Sequence, residues 1–235
     1  GSEFLASTDS WFRPVSLANG PDGALYVVDM CRREIDHPAY VPEESRGKLD
    51  FASGGELGRI YRIVAQNTRA SAPAELSNTG LVRALESPDS WWRELARRLL
   101  IERGAAETVD AIERVAAESP RPEARVQALW ALQGIGRLRT EVIEIASRDA
   151  SAGVREQAVM LAGRRLAGDS RFGPMLVRAA SDGDARVRFC AALELGSWTD
   201  ERAVAPLAAI ALRDGTDRWT RAAVFSGVEG RVEGF

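Results

Sequence analysis

Residues 182–198 read DGDARVRFCAALELGSW, and this stretch predicts the fold of most of the chain. Its opening Asp-Gly-Asp is a turn signal, and an apolar run follows at once. Arg188 lies early in the run, Ala191 comes three positions later, and Leu195 comes seven positions after the arginine. This spacing puts Ala191 and Leu195 on one helix face, where the small alanine lets a second helix approach closely. The stretch therefore predicts a turn followed by an amphipathic helix.

The same pattern occurs four more times, aligned without gaps over the helix. The other copies are SPDSWWRELARRLLIERG (87–104), SPRPEARVQALWALQGIG (119–136), DASAGVREQAVMLAGRRL (149–166) and DGTDRWTRAAVFSGVEG (214–230). Each copy has an arginine in the first turn of its helix, and successive arginines are 32, 30, 33 and 33 residues apart. The five arginines are Arg93, Arg125, Arg155, Arg188 and Arg221. A recurring period of this length indicates a repeat protein.

A shorter apolar stretch precedes each of these helices, so each repeat is predicted to be a helix, a turn and a helix. The preceding stretches are GLVRALES, AETVDAIERVAAE, EVIEIASR, RFGPMLVRAAS and ERAVAPLAAIALR. One helix pair cannot bury its own apolar face, whereas stacked pairs share a continuous core. We therefore expect a mainly α fold, in which residues 78–235 form an α-solenoid of about five helix pairs.

The repeat resembles the HEAT family. Its period fits, and the chain lacks the Trp/Gly/Tyr set of tetratricopeptide repeats and the Thr-Pro-Leu-His box of ankyrin repeats. The segment DARVRFCA, residues 184–191, is similar to the Asp/Val/Arg signature of HEAT helices. The resemblance implies a structural role for the five arginines, which would bond to an acid or to carbonyl groups of a neighbouring repeat. A ligand-binding role is the alternative.

The last repeat shows no polar capping helix. Its second helix runs into Gly230, and the sequence stops at Phe235. Solenoids generally need polar caps at their ends for solubility. We therefore expect more repeats, or another domain, to follow in the native polypeptide.

Composition excludes several functions. The formal net charge of −3 argues against a nucleic-acid partner, which would need a basic face. Cys31 and Cys190 are far apart and form no C-x-x-C or C-x-x-C-H motif, so no metal, redox or haem-attachment site is predicted. No window approaches the roughly 18 apolar residues that span a bilayer, so we expect no membrane insertion by this segment.

Residues 1–65 follow a different pattern. Phe12–Leu17, Ala24–Asp29 and Arg59–Val64 are predicted strands, with a tight Gly-Pro-Asp-Gly turn at residues 20–23 between the first two. A long insertion rich in Pro, Gly and charge separates the second and third strands, and residues 66–77 are a predicted linker. Three strands are too few for a stable domain, so we expect the sheet to belong to something larger or to pack against the first helix pair.

The pattern P-x-x-L-x-x-G-P-D-G-x-L-Y-V-x-D, followed by GRIYRI, resembles one blade of a β-propeller of the sorbosone and glucose dehydrogenase type. With the flanking FLASTDSWFRPV and IDHPAYVPEESRGKLDF, it is similar to a bacterial family of membrane-bound dehydrogenase domain proteins. In that family a quinoprotein-like propeller is followed by HEAT repeats and a haem c domain. The resemblance implies that residues 1–65 are the remnant of a last blade, and that the parent is an exported, periplasmic enzyme. It also implies pyrroloquinoline quinone and calcium in the parent, and none in this segment, because one blade cannot enclose a cofactor.

The same resemblance suggests cofactor-binding residues. In such propellers the cofactor lies at the mouth of the central channel, which places Arg13, Asp29 and Arg32 as candidates. An arginine suits this cofactor because it binds carboxylates through two charge-assisted hydrogen bonds. The alternatives are a turn acid for Asp29 and exposed salt bridges for the two arginines. Cys31 departs from the family pattern, in which a larger aromatic or basic residue is expected.

Two further features are candidates for function. His37, the only histidine, is a weak candidate for a general base in sugar oxidation, and a structural loop histidine is the alternative. Trp91 and Trp92 open the second helix of the first repeat. We interpret them as a seam between the two parts of the chain, with a partner-binding hot spot as the alternative.

The sequence thus supports a non-catalytic piece of a quinoprotein-like sugar or alcohol dehydrogenase, in which the solenoid is a spacer or a docking surface for protein partners or neighbouring domains. A free-standing HEAT adaptor that binds a protein or peptide is the second hypothesis. A bilin-lyase-like HEAT protein is a third, favoured only by the short repeat.

Overall fold

The computed structural model of the chain describes residues 3–65 and 75–228. The chain divides into two compact units, residues 1–72 and residues 73–235. Most of the predicted linker, residues 66–77, lies outside the described residues.

The first unit contains a three-stranded antiparallel sheet in the order β1-β2-β3. The strands are β1 (Pro14–Asn19), β2 (Leu25–Asp29) and β3 (Arg59–Ile63). Starting the first strand at Phe12 was wrong by two residues, because the backbone N–H of Arg13 binds the Asp29 carboxylate at 2.7 Å before the strand begins. The small antiparallel sheet ahead of a helical array is confirmed.

A four-residue turn joins β1 to β2 where the sequence predicts it. The N–H of Gly20 donates to the carbonyl of Ala24 at 2.9 Å, and that of Gly23 donates to Gly20 at 3.1 Å. Asp22 in this turn accepts from the Tyr26 hydroxyl at 3.1 Å and from Nε of Arg62 at 2.6 Å. One turn carboxylate therefore ties the hairpin to the third strand.

Large apolar side chains are exposed on both faces of the sheet. Register places Leu17, Val27 and Tyr61 side by side on one face, with Leu17 65% exposed and Val27 fully buried. Val28 and Ile60 are neighbours on the opposite face, where Ile60 is 70% exposed. Because strand side chains alternate between faces, neither side of this sheet is a purely polar solvent surface.

The insertion between β2 and β3 carries a short 3₁₀ turn, Pro38–Tyr40, and a one-turn helix, α1 (Glu43–Arg46). The Arg46 guanidinium donates to the carbonyl groups of Val41 and Ala39 at 2.8 and 3.3 Å. These local bonds give a polar, Pro-rich segment a defined path.

Within residues 75–228, ten helices form five pairs, which confirms the predicted solenoid. We call the first helix of each pair the A helix and the second the B helix. The pairs are α2 (Asn78–Ala84) with α3 (Ser90–Glu102), α4 (Val109–Glu118) with α5 (Pro122–Ile135), α6 (Thr140–Ala146) with α7 (Ala152–Leu166), α8 (Gly173–Ala179) with α9 (Ala185–Ser197), and α10 (Val204–Asp214) with α11 (Arg218–Ser226).

Turn residues start the B helices. Asp89, Asp184 and Asp217 each accept a hydrogen bond from a backbone N–H in the first turn of the helix that follows. Pro122 begins α5, where its missing N–H is not needed. Short 3₁₀ turns precede α4, α8 and α10, a detail that the apolar periodicity did not predict.

The core follows the repeat period. Each B helix packs on the B helix before it, and all positions three and seven residues after the repeat arginine are buried, at most 9% exposed. They are Ala96, Leu100, Ala128, Leu132, Ala158, Ala162, Ala191, Leu195, Val224 and Val228. Small residues at the first of these positions allow the close helix spacing that a continuous solenoid core needs.

Two glycines meet where α9 packs against α11: Gly196 lies near the end of α9, and Gly227 directly follows α11. A Cβ atom on Gly196 would lie 2.8 Å from the Cα of Gly227, and a Cβ on Gly227 would lie 2.3 Å from the Cα of Gly196. Contacts this short involve backbone atoms that no rotamer change can move. The junction between the fourth and fifth pairs therefore requires glycine at both positions.

Candidate functional site

Asp29 lies at the centre of a polar network where β2 ends. Its side chain is fully buried, and its Oδ1 accepts from the backbone N–H groups of Arg13 at 2.7 Å and Cys31 at 2.8 Å. Its Oδ2 lies 2.9 Å from Nε and 2.8 Å from Nη2 of Arg59. Both carboxylate oxygens are therefore occupied by the sheet and its adjoining loops.

These bonds also fix the charge of Asp29. Burial raises the pKa of this carboxyl, but the hydrogen bonds from Arg13, Cys31 and Arg59 together outweigh it. The pKa of Asp29 consequently lies below its ordinary value of 3.8. At neutral pH Asp29 is therefore an ionised carboxylate whose two oxygens are both engaged within the unit.

Arg59 and Asp9 complete this network, and sequence reasoning missed both. Nη1 of Arg59 lies 2.7 Å from Oδ2 of Asp9, and the two carboxylates raise the pKa of the guanidinium, with Asp9 the larger cause. The pairing of Asp29 with Arg59 in the strand register was a usable signal, because the acid ends one strand and the arginine begins the next. Asp9 comes 50 residues before Arg59, and no local pattern indicates that contact.

The other two predicted cofactor residues differ in what they contact. Arg13 donates through Nη1 to the carbonyl groups of Ser10 and Phe12, and through Nη2 to that of Arg33, at 2.9 to 3.0 Å. Arg32 is half-buried, and within residues 3–65 and 75–228 its guanidinium has no hydrogen bond or ion pair. The structure thus brings Arg13 and Asp29 together, while Arg32 stays outside their network.

The backbone after β2 is strained. Cys31 has φ of 52°, the left-handed region that non-glycine residues rarely adopt. Gly54, with φ of 84°, packs beside it, and a Cβ there would lie 2.8 Å from the carbonyl oxygen of Cys31 and 3.0 Å from the Trp11 ring. Cys31 therefore occupies a tight backbone position, a constraint that its departure from the family pattern did not reveal.

His37 is exposed and lies in the insertion. Its Nδ1 accepts from the backbone N–H of Ala39 at 3.1 Å, and its ring meets that of Tyr40 edge to face at 5.8 Å. The imidazole thus caps the 3₁₀ turn of Pro38–Tyr40. The catalytic role considered for His37 stays a prediction.

These residues do not fit a quinone cofactor or calcium held by this segment. Arg13 and Asp29 direct their polar atoms to neighbouring parts of the same unit. No group of three or more His, Cys, Asp or Glu side chains within the described part of the chain could hold a metal ion. At this sheet end the structure shows ion pairs of Arg59 with Asp9 and Asp29.

In the second unit, three of the five repeat arginines each bind an aspartate of the next helix pair. We call each such Arg-Asp pair a rung and the set the ladder. Arg155 donates to Asp182 through Nε at 2.7 Å and Nη2 at 2.8 Å, while its Nη1 binds the carbonyl of Asp149 at 2.9 Å. Arg125 binds Asp149 in the same two-pronged way, and Arg188 binds Asp214. Asp149 and Asp182 belong to the turn between the two helices of the next pair, and Asp214 is the last residue of α10, directly before such a turn.

The ladder arginines are largely shielded from water. The exposed fractions of the Arg125, Arg155 and Arg188 side chains are 12%, 19% and 5%. Hydrogen bonds from the arginines lower the pKa of Asp182 and Asp214, and burial only partly opposes this. The carboxyl groups of Asp182 and Asp214 therefore stay ionised at neutral pH.

The ladder lacks an acid at its first junction. Arg93 binds the carbonyl groups of Ser87 and Pro88 at 2.7 and 2.9 Å, but its Nε is buried without a partner. Ser119 stands where Asp149 and Asp182 stand in later turns, and its Oγ accepts from the N–H two residues on, as the aspartates do. A serine can form this turn but cannot reach back to the arginine of the previous pair.

Trp91 and Trp92 contact each other, with ring centroids 4.7 Å apart in an edge-to-face arrangement. Both are half-buried, and the N–H of Trp91 binds the capping Asp89. Their role as a seam or as a binding hot spot stays a prediction.

A further row of side chains, which the sequence analysis did not identify, crosses three B helices five positions after the repeat arginine. It consists of Trp130, Met160 and Leu193, of which Leu193 is 44% exposed and the others are half-buried. The indole N–H of Trp130 donates to Gln157 at 2.8 Å, and the Arg164 guanidinium lies 4.8 Å from the ring centroid. Held in this way, Trp130 presents a rigid aromatic surface. We call this set the B-helix row.

Comparison with known families supports the assignment of HEAT repeats to the helical unit. Residues 139–228 match the model described as HEAT repeats. Residues 1–67 match a domain of unknown function, DUF7133. No curated protein matches the chain.

The second unit is therefore a HEAT-like array, an architecture that serves as a scaffold for protein interaction. Within the described residues, no helix is long and apolar enough to cross a membrane.

Proposed function

We propose that this chain is a non-catalytic scaffold segment of a quinoprotein-like sugar or alcohol dehydrogenase. Its sheet would be the last blade of the propeller, and its HEAT array would be the spacer or docking element that follows. The blade part of this proposal rests on the exposed apolar side chains that the sheet has on both faces, Leu17 on one and Ile60 on the other. A propeller blade is packed between two neighbours and needs such faces.

The dehydrogenase assignment draws its support from the blade pattern of residues 14–29 and 58–63 and from the order of a sheet before HEAT repeats. Pyrroloquinoline quinone and calcium would be bound elsewhere in the parent, since Arg13 and Asp29 are already engaged. Arg32 is the one of the three predicted cofactor residues with a guanidinium available to a neighbouring blade. By the same resemblance, the parent would be exported to the periplasm.

The test is a deletion in the longer polypeptide. Removing residues 78–235 should leave reduction of a soluble dye by the propeller intact and should slow electron transfer to the attached haem domain at least tenfold. The measurement is the rate of haem reduction by stopped-flow absorbance, with dye reduction as the control. Unchanged haem reduction would overturn the docking role. Loss of dye reduction would instead assign the helices to the stability of the propeller.

A second candidate function is a free-standing adaptor for a protein or peptide, and the B-helix row favours it. Leu193 is exposed and lies in line with the half-buried Trp130 and Met160, and apolar side chains grouped on a rigid surface are typical of protein-binding sites. Peptides selected from a displayed library on the purified chain should lose at least tenfold in affinity with Leu193→Glu. Leu212→Glu is the matched control, because Leu212 is 90% exposed on an A helix and lies outside the row. If Leu193→Glu leaves the affinity of the selected peptides unchanged, the B-helix row is not their binding site.

A further inference from the structure

A groove lies between α8 and α10, the A helices of the fourth and fifth pairs. Its volume is about 630 Å³, within the range of roughly 300–1,000 Å³ that is typical of ligand sites. Its walls are small and apolar, with Pro174 and Val177 on α8 and with Ala205, Pro206 and Ala209 on α10. The groove is formed by A helices and the B-helix row by B helices, so the two surfaces share no residue.

Trp198 gives this groove a fixed aromatic surface. Its ring packs against Gly173 at the start of α8, where a Cβ atom would come within 2.5 Å of the ring carbons. The Arg202 guanidinium lies 4.9 Å from the centroid of the same indole. Arg202 is itself held by Asp200, through hydrogen bonds of 2.9 Å from Nε and 2.7 Å from Nη2. The half-buried indole is therefore already in place before anything binds, which lowers the entropic cost of binding.

The charge of the groove is positive. Its two charged side chains are Arg178 and Arg202, and Asp200 neutralises Arg202 in a local ion pair. Arg178 is exposed, and within residues 75–228 its guanidinium has no hydrogen bond or ion pair. Arg178 thus gives the groove a net positive charge, although the chain as a whole has a formal charge of −3. This charge favours an acidic occupant over a neutral or basic one.

The groove between the A helices α4 and α6 has a different balance of charge. It measures about 340 Å³, and Glu113 and Arg139 form an ion pair within it. Three acids and two arginines line it, namely Asp110, Glu113, Glu118, Arg114 and Arg139. A fixed indole, apolar walls and an unpaired arginine therefore distinguish the α8–α10 groove from this one.

We propose that the α8–α10 groove binds an acidic segment of a partner protein. An apolar side chain of the segment packs on Trp198 between the two A helices, and a neighbouring Asp or Glu carboxylate pairs with Arg178. The site is separate from the sheet and from the B-helix row. The inference therefore goes beyond both proposed functions and does not depend on the dehydrogenase assignment.

The test selects peptides from a phage-displayed random library on the purified full chain. Peptides that bind should carry Asp or Glu within a few residues of an apolar side chain. Labelled copies, measured by fluorescence anisotropy, should bind at least about tenfold more weakly to Arg178→Glu, which reverses the charge, and to Ala209→Trp, which fills the groove. Replacing the peptide's acid by Lys should restore binding to Arg178→Glu. This charge swap decides the matter even if circular dichroism shows that Ala209→Trp disturbs the fold.

Arg114→Glu and Ala117→Trp are the matched controls, because both residues are exposed and line the α4–α6 groove. They should leave the affinity unchanged, and so should Leu193→Glu. Selected peptides without an acid, or acidic peptides that bind Arg178→Glu as tightly as the natural chain, would overturn the proposal. Peptides that respond to Leu193→Glu alone would also overturn it while supporting the adaptor function. A dimer of the natural chain that Ala209→Trp dissociates would assign the groove to a second copy and overturn the proposal as well.

Discussion

Single aspartates hold neighbouring repeats together. Asp182 accepts two hydrogen bonds from Arg155 of the preceding pair and one, at 2.8 Å, from the N–H of Asp184 in its own turn. The same carboxylate thus shapes a turn and joins two repeats. Because both partners are largely buried, removing one leaves the other charge without compensation.

Asp182→Asn should therefore destabilise the chain by about 2 kcal/mol, because the amide keeps the turn but loses the two-pronged ion pair. Urea unfolding followed by far-ultraviolet circular dichroism gives the free energy. Asp169→Asn is the matched control, since Asp169 binds Arg171 locally in an exposed pair. We expect Asp169→Asn to cost much less free energy of unfolding than Asp182→Asn. Equal effects of the two substitutions would contradict a special role for the ladder.

At the scale of elements, the junctions between pairs are similar in pattern and unequal in strength. The three junctions between the second and fifth pairs each have a complete Arg-Asp rung. At the junction between the first and second pairs, Ser119 stands opposite Arg93. The last junction also has the close contact of Gly196 with Gly227. Since a solenoid's stability is close to a sum over neighbouring contacts, each junction can be tested separately.

Ser119→Asp should stabilise the first junction by about 1 kcal/mol, because it supplies a partner for the buried Nε of Arg93. Thermal and urea unfolding of the purified chain measure this gain. Ser119→Asn keeps a hydrogen-bond acceptor for the turn but adds no charge, so we expect it to raise the stability much less than Ser119→Asp does. If Arg93→Gln leaves the effect of Ser119→Asp unchanged, the added carboxylate is not acting through the arginine.

Gly196→Ala should destabilise the last junction by about 1–3 kcal/mol, although alanine is the better helix former, because its Cβ would meet the backbone of α11. Gly183→Ala is the control, since a Cβ there meets nothing within 4 Å. We expect that control to be neutral or slightly stabilising. The melting temperatures of the two variants give the comparison, and a neutral Gly196→Ala would show that the helices can separate without loss.

At the scale of the whole molecule, stability should depend on pH through the ladder. The pKa values of Asp182 and Asp214 lie below the ordinary value of 3.8 in the folded chain. The unfolded state therefore binds protons first as pH falls. The contribution of these two ion pairs is complete above about pH 5 and is lost progressively as the pH falls below the ordinary pKa.

The free energy difference between the natural chain and the variant with both Asp182→Asn and Asp214→Asn should accordingly be constant from pH 7 to pH 5 and should narrow at pH 3. Urea titrations at these three pH values measure it. A difference that persists undiminished at pH 3, or that disappears by pH 6, would contradict the ion-pair account.

The sequence predicted the parts of the molecule that repeat and missed those that depend on distant contacts. The five arginines, their buried partners and the helix pairs follow from a local period. The network of Asp9, Asp29 and Arg59 joins residues 30 and 50 positions apart, which no period can indicate. The sequence pattern did not reveal the B-helix row, because Trp130, Met160 and Leu193 occupy the same repeat position but differ in chemical type.

The central claim is that a propeller blade and a HEAT scaffold belong to one larger dehydrogenase. The most direct measurement is the DNA sequence on both sides of this segment in its source. We expect further blade motifs upstream of residue 1, and downstream a C-x-x-C-H motif. A start codon with a leader just before Phe4 and a stop codon directly after Phe235 would contradict the claim and leave the adaptor as the function.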